Sequence, residues 1–225
     1  MAADTDKTAT FDPIAAYGPQ ISFDVYRKDE LIGRHTVHFR RENGDLIAAS
    51  RFQIQITVLG LPLYTYDYTS LGRWRDGTLQ TLRARTDDDG TVSEVSAERH
   101  GGEMKIIADD VQSVVPGEVF PTTHWNPAVI GTAQVLNTIT GRINTVNMTE
   151  AGTEDIATGN GSRPARRFVY SGDLETDVWY DMAGRWVKMK FDGNDGVPIE
   201  YRCIVCGSER PLNTETDAHA PEGTL

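Results

Sequence analysis

From Gln20 onward the chain alternates apolar and polar residues with a period of two, the signature of strands that bury one face. Ile21, Phe23 and Val25 interleave with Ser22, Asp24 and Tyr26. Beyond a short turn at Lys28-Asp29-Glu30, Leu31, Gly33, His35, Val37 and Phe39 interleave with Arg34, Thr36, His38 and Arg40. Asn43-Gly44, Asp76-Gly77 and Asp89-Gly90 each fall where a run of alternation stops, and such pairs tolerate the positive φ of a tight hairpin turn. Pattern and turn chemistry together predict successive hairpins: a long strand from Leu46 to Val58, a break at Gly60-Leu61-Pro62, a strand from Leu63 to Trp74, another ending at Arg85, then Val92–His100 and Met104–Ala108. The rhythm lapses over 109–140. There Pro116, Gly117 and Pro121 interrupt the chain, and Asn126-Pro127 reads as an N-cap with proline at the first helical position, which predicts a short helix near 127–136. Hairpins resume at Ile143 and run to Val205.

About 11–13 short strands cannot remain one flat sheet, so they must curl, close or split into layers. The expected fold is all-β: a strongly curved antiparallel sheet or open half-barrel with one short inserted helix. Residues 1–19 are polar and broken by Pro13, Gly18 and Pro19, which predicts a flexible leader; 20–206 form one domain; 207–225 lack a periodic apolar pattern and are expected to be a disordered tail.

The charge balance narrows the partners. Lys and Arg number 22 against 33 Asp and Glu, a formal net charge of −11 that repels phosphate backbones, so nucleic acid is not an expected partner. No apolar run approaches the roughly 20 residues of a membrane-spanning helix, so stable membrane insertion is not expected either. Met1-Ala2-Ala3-Asp4 reads either as the start of a processed exported chain or as an ordinary cytoplasmic leader. Cys203 and Cys206 have CxxC spacing, but they close a strand rather than open a helix and lack two further ligands, so neither redox nor zinc chemistry is assigned to them. No hydrolase elbow, Walker loop, zinc-protease or dinucleotide motif is present, and no cofactor or metal is expected.

Two places could carry chemistry. Tyr64, Tyr66 and Tyr68 share one face of their strand, with Arg73 and Trp74 at its end; three phenols in a row make either an amphipathic cavity wall or a cross-strand aromatic ladder. His124, beside Trp125 and Asn126, stands in the one irregular segment, where a neutral imidazole could move a proton or simply pack. His35 and His38 lie on opposite faces of one strand and cannot share a metal.

His124-Trp125-Asn126-Pro127, Thr140-Gly141-Arg142, Ser171-Gly172-Asp173-Leu174, Trp179-Tyr180-Asp181, Gly184-Arg185 and Ile199-Glu200-Tyr201-Arg202, with Leu59 to Tyr64, Trp74-Arg75-Asp76-Gly77 and Thr86-Asp87-Asp88 earlier, resemble an exported bacterial family of unknown function over residues 20–203. Its members look like the half-barrels typified by the LolA and LolB lipoprotein carriers, where a curved sheet wraps an apolar cavity under a helical lid. The resemblance implies a periplasmic location and a hydrophobic ligand, but fold analogy does not settle function.

Two readings result. In the first, the protein is a periplasmic binding or carrier module for a small apolar or lipid-like molecule, with Tyr64, Trp74, Trp125, Asn126 and Trp179 as ligand contacts and the 124–136 segment as lid. In the second, it is a cofactor-independent lyase, isomerase or cyclase in which His124 is the acid or base and Tyr66, Tyr68 and Arg73 hold a developing oxyanion. The oligomeric state is not readable.

Overall fold

The computed structural model describes residues 10–58, 61–193 and 195–207. Fifteen strands follow a five-residue helix α1 (Pro13–Tyr17). They are β1 (Gln20–Arg27), β2 (Glu30–Glu42), β3 (Asp45–Val58), β4 (Leu61–Arg75), β5 (Thr78–Asp88), β6 (Thr91–His100), β7 (Glu103–Ala108), β8 (Val111–Pro116), β9 (Phe120–Pro121), β10 (Gln134–Leu136), β11 (Ile143–Thr158), β12 (Gly161–Gly172), β13 (Thr176–Asp181), β14 (Trp186–Asp192) and β15 (Pro198–Val205). All join one sheet in the order β8-β7-β6-β5-β4-β3-β2-β1-β15-β14-β13-β12-β11-β10-β9. Every pairing is antiparallel except β9 with β10. The expected all-β, strongly curved open sheet is what the chain forms.

The hairpin signals operate as their chemistry requires. Asn43, Asp76 and Asp89 take φ of 52°, 48° and 50°, and the glycine after each is also positive. These are the left-handed pairs that match hairpin twist. The predicted break at Gly60 lies outside the described residues, as do the tail residues 208–225 and the first nine of the leader.

Two expectations are corrected. The segment near 127–136 is not a helix: Asn126 does cap, accepting from the Ala128 N–H at 3.1 Å, but only a single 3₁₀ turn (Pro127–Val129) follows before the chain extends into β10. Val129 and Ile130 are β-branched and Gly131 takes φ of 86°, so little favours continuing the helix. The helix instead lies within the expected flexible leader, where Asp12 caps Pro13–Tyr17 and Tyr17 is fully buried, so the folded unit begins before Gln20.

The chain around β9 matters most for function. β8 and β9 are the two edges of the sheet, yet only residues 117–119 separate them, so the curl brings its edges within about 14 Å of one another. The crossing segment between β9 and β10 then lies over the concave side and carries His124 into it. The turn at 137–142 then reaches back to the first edge: the Ser93 hydroxyl donates to the Ile139 carbonyl, and Gly141 packs against Ala108. Gly141 has φ of 68°, and a Cβ there would come within 2.4 Å of the Ala108 Cβ. Gly141→Ala is therefore expected to cost at least about 1–2 kcal/mol from its left-handed backbone alone, with the clash added, and to displace this turn. Chemical denaturation together with the NMR shifts of Thr138 and Ile139 would detect both effects; unchanged values would show that the turn does not bear on β7.

Candidate functional site

The curled sheet has one filled end and one open end. At the filled end Trp125 meets Phe39 and Trp74 edge-on at 5.3 and 5.2 Å, and Tyr17 stacks on Phe39 at 5.6 Å. These aromatics form a plug from α1, β2, β4 and the crossing segment. Above the plug, on the concave face, lies a cavity of about 650 Å³. That volume is within the range of small-molecule sites, about 300–1,000 Å³.

Strand register sorts the cavity by depth. Across β3 and β4 the pairs Ile56 with Tyr64, Ile54 with Tyr66, Phe52 with Tyr68 and Ser50 with Ser70 descend from mouth to plug. Across β14 and β15, Phe191 with Ile199 and Met189 with Tyr201 form the facing levels. The shaft is thus apolar, built from Ile32, Ile54, Ile56, Met189, Phe191 and Ile199 with the tyrosine bodies between them. Its mouth carries Asp88, Glu175, Asp192 and Asp195. Arg27 is the one basic residue lining the cavity among the described residues, and its guanidinium is paired with Asp195.

The inner end is polar. His35 from β2 and His124 from the crossing segment both line it, with ring centroids 5.6 and 5.7 Å from that of Trp186. His35 is otherwise surrounded by Phe23, Phe52 and Tyr201, and His124 by Tyr170. Both are buried, at 9% and 7% exposure. No protein atom among the described residues bonds either ring nitrogen of His35 or Nδ1 of His124. Loss of hydration drives the His35 pKa down to about 3, with a smaller contribution from His124; burial alone brings His124 down to about 4. Both imidazoles are neutral at pH 7. Beside them, the Tyr68 hydroxyl donates to Thr138 Oγ1 at 2.7 Å, and burial raises the Tyr66 phenol to about 12.

His124 is held by its backbone rather than its ring. Its φ is 53°, and the Trp125 N–H donates to the Thr123 carbonyl at 2.6 Å, closing a three-residue turn around it. The positive-φ form of that turn is rare and strained. Two buried phenols fasten it: the Tyr180 hydroxyl donates to the His124 carbonyl at 2.9 Å and the Tyr17 hydroxyl to the Trp125 carbonyl at 2.8 Å. Tyr17 also accepts from the Trp186 N–H at 2.9 Å. One side chain of the helix thus ties the crossing segment to β14.

Of the residues singled out from the sequence, Tyr64, Tyr66, Tyr68 and His124 share the cavity. The others do not line it. Arg73 faces away and pairs with Glu42 at 2.8 Å and Asp45 at 3.2 Å. Trp74 and Trp125 belong to the plug, and Asn126 spends its side chain on the cap. Trp179 lies on the outer face, where its indole N–H donates to Glu154 at 2.7 Å and its ring stacks with Arg167 and Lys188. His35, Thr138, Trp186 and Tyr201 were not singled out. His35 alone carried a signal, since it shares a face with Val37 and Phe39 in an otherwise regular strand. Cys203 and Cys206 form a disulfide.

An open antiparallel half-barrel around an apolar-walled cavity defines the class of protein. Residues 23–204 match the family described as "Domain of unknown function (DUF6134)", and the chain belongs to that family. No curated protein matches it.

Proposed function

We propose that the protein binds a small, mainly apolar molecule in the concave cavity and acts as a binding or carrier module. The observation that carries this reading is the shaft itself: the six apolar side chains named above and four tyrosine rings, those of Tyr64, Tyr66, Tyr68 and Tyr201, bound a space of about 650 Å³. Apolar surface left facing such a space gains roughly 25 cal/mol for each Å² a ligand covers. The likeness to half-barrel lipoprotein carriers supports the same reading. A periplasmic location is part of the proposal, supported by that likeness and by the Cys203–Cys206 disulfide, a bond that persists in oxidising compartments. Among the described residues no helix is long and apolar enough to cross a membrane.

The test is a titration with diphenylhexatriene, a hydrocarbon that fluoresces in apolar surroundings. The expected result is saturable binding at one site, weakened at least about tenfold by Ile54→Trp, which fills the shaft. Absence of saturable binding, or equal binding by the variant, contradicts the proposal.

One observation favours a second reading, acid–base catalysis: His124 is strained, buried and in the same cavity as Tyr66 and Tyr68. Strained backbone and perturbed pKa values gather at active sites. The displaced Arg73 leaves that reading without the cation expected to hold an oxyanion.

A further inference from the structure

We propose that the ligand is an uncharged molecule that enters with its hydrogen-bonding end first, a hydroxyl or a carbonyl held between His35 and His124, its apolar body filling the shaft. This inference rests on the cavity reading above and names the chemical class.

The inner end argues for a polar head. Buried polar atoms in folded proteins are nearly always hydrogen-bonded, and leaving one unpaired costs roughly 1–3 kcal/mol. Here three imidazole nitrogens on two histidines have no protein partner among the described residues, and both rings border one cavity. The two rings come from different elements, and the crossing segment that brings the second is fastened by Tyr17 and Tyr180. A neutral imidazole presents one donor and one acceptor, so the pair can give a hydrogen bond to a carbonyl or both give and accept with a hydroxyl.

The charge pattern argues against an ionised head. The histidines are neutral at pH 7 for want of solvation, and no Lys or Arg among the described residues lines the inner end. The single basic lining residue stands at the mouth, already paired, among four carboxylates. A carboxylate or phosphate would cross an acidic rim to reach a site with no counter-charge, and burying an unpaired anion is costly.

The experiment uses displacement of diphenylhexatriene by decan-1-ol and by decanoate, ionised at about pH 7.5, from the full chain and from the His35→Phe/His124→Phe variant. Because the probe has no polar atom, its affinity reports the shaft alone. The alcohol is expected to compete at least about tenfold better than the carboxylate, and the ratio of alcohol affinity to probe affinity to fall about tenfold in the variant. Equal or better competition by decanoate overturns the inference, as does a variant in which the ratio of alcohol affinity to probe affinity is unchanged. Should the variant not bind the probe, the imidazole ¹⁵N shifts of the unaltered protein decide: movement at His35 and His124 on adding decan-1-ol supports the assignment, and stationary shifts overturn it. Failure of the unaltered protein to bind the probe at all is the separate outcome that removes the cavity reading itself.

Discussion

Lowering the pH from about 7 to about 5 is expected to remove roughly 4 kcal/mol of stability, and the His35→Phe/His124→Phe variant is expected to lose far less over the same interval. The two folded-state pKa values, about 3 and about 4, lie below the ordinary 6.5 of an exposed imidazole. Between those limits the unfolded chain binds protons that the folded chain does not, so stability falls as pH falls. The contribution is fully present above 6.5 and fades as pH drops toward the folded values. At pH 5 each histidine is about 1.5 units below its unfolded pKa, which is roughly 2 kcal/mol apiece. Urea denaturation at the two pH values measures the difference. A slope that the double variant leaves unchanged would mean that neither imidazole is buried neutral.

Tyr17→Phe is expected to destabilise the protein by roughly 2–4 kcal/mol, because one lost hydroxyl strands two buried backbone groups. The Trp186 N–H and the Trp125 carbonyl both depend on that oxygen, at 2.9 and 2.8 Å. The ring remains to stack on Phe39, so the packing loss is small and the effect belongs to the hydrogen bonds. The same change loosens the strained turn at His124 and is expected to weaken diphenylhexatriene binding several-fold. Equilibrium unfolding and the probe titration check the two consequences separately. A change below about 0.5 kcal/mol would show that water replaces the hydroxyl, and that the helix is not a tie.

The sheet was legible because two independent signals coincide along it. Period-two alternation stops at Asn43-Gly44, Asp76-Gly77 and Asp89-Gly90, and each pair adopts the left-handed backbone that a tight hairpin needs. The crossing segment was legible as an interruption but not as a shape. Asn126-Pro127 is a genuine helix-start signal, and only the β-branched residues after it and the left-handed Gly131 limit the result to one turn.

The site divides along the same line. Tyr64, Tyr66 and Tyr68 were legible as one wall because side chains two apart on a strand share a face. Arg73 has the opposite parity and ends among Glu42 and Asp45 on the other side, while Trp179 is placed outside by Val178 and Tyr180 pointing in. His35 shows nothing locally beyond its place on the apolar face. Its meaning depends on His124, 89 positions away in the chain, and on the Trp186 ring that both imidazoles approach. That juxtaposition comes from the crossing of the concave face, which no local pattern encodes.

The most direct test is a crystal structure of the protein soaked with 1-bromodecane, with the bromine located by anomalous scattering. The account predicts a bromine peak inside the curl, within van der Waals reach of the shaft lined by Ile54, Tyr66, Met189 and Tyr201. A bromine found only on the outer face, or none bound at all, would contradict it.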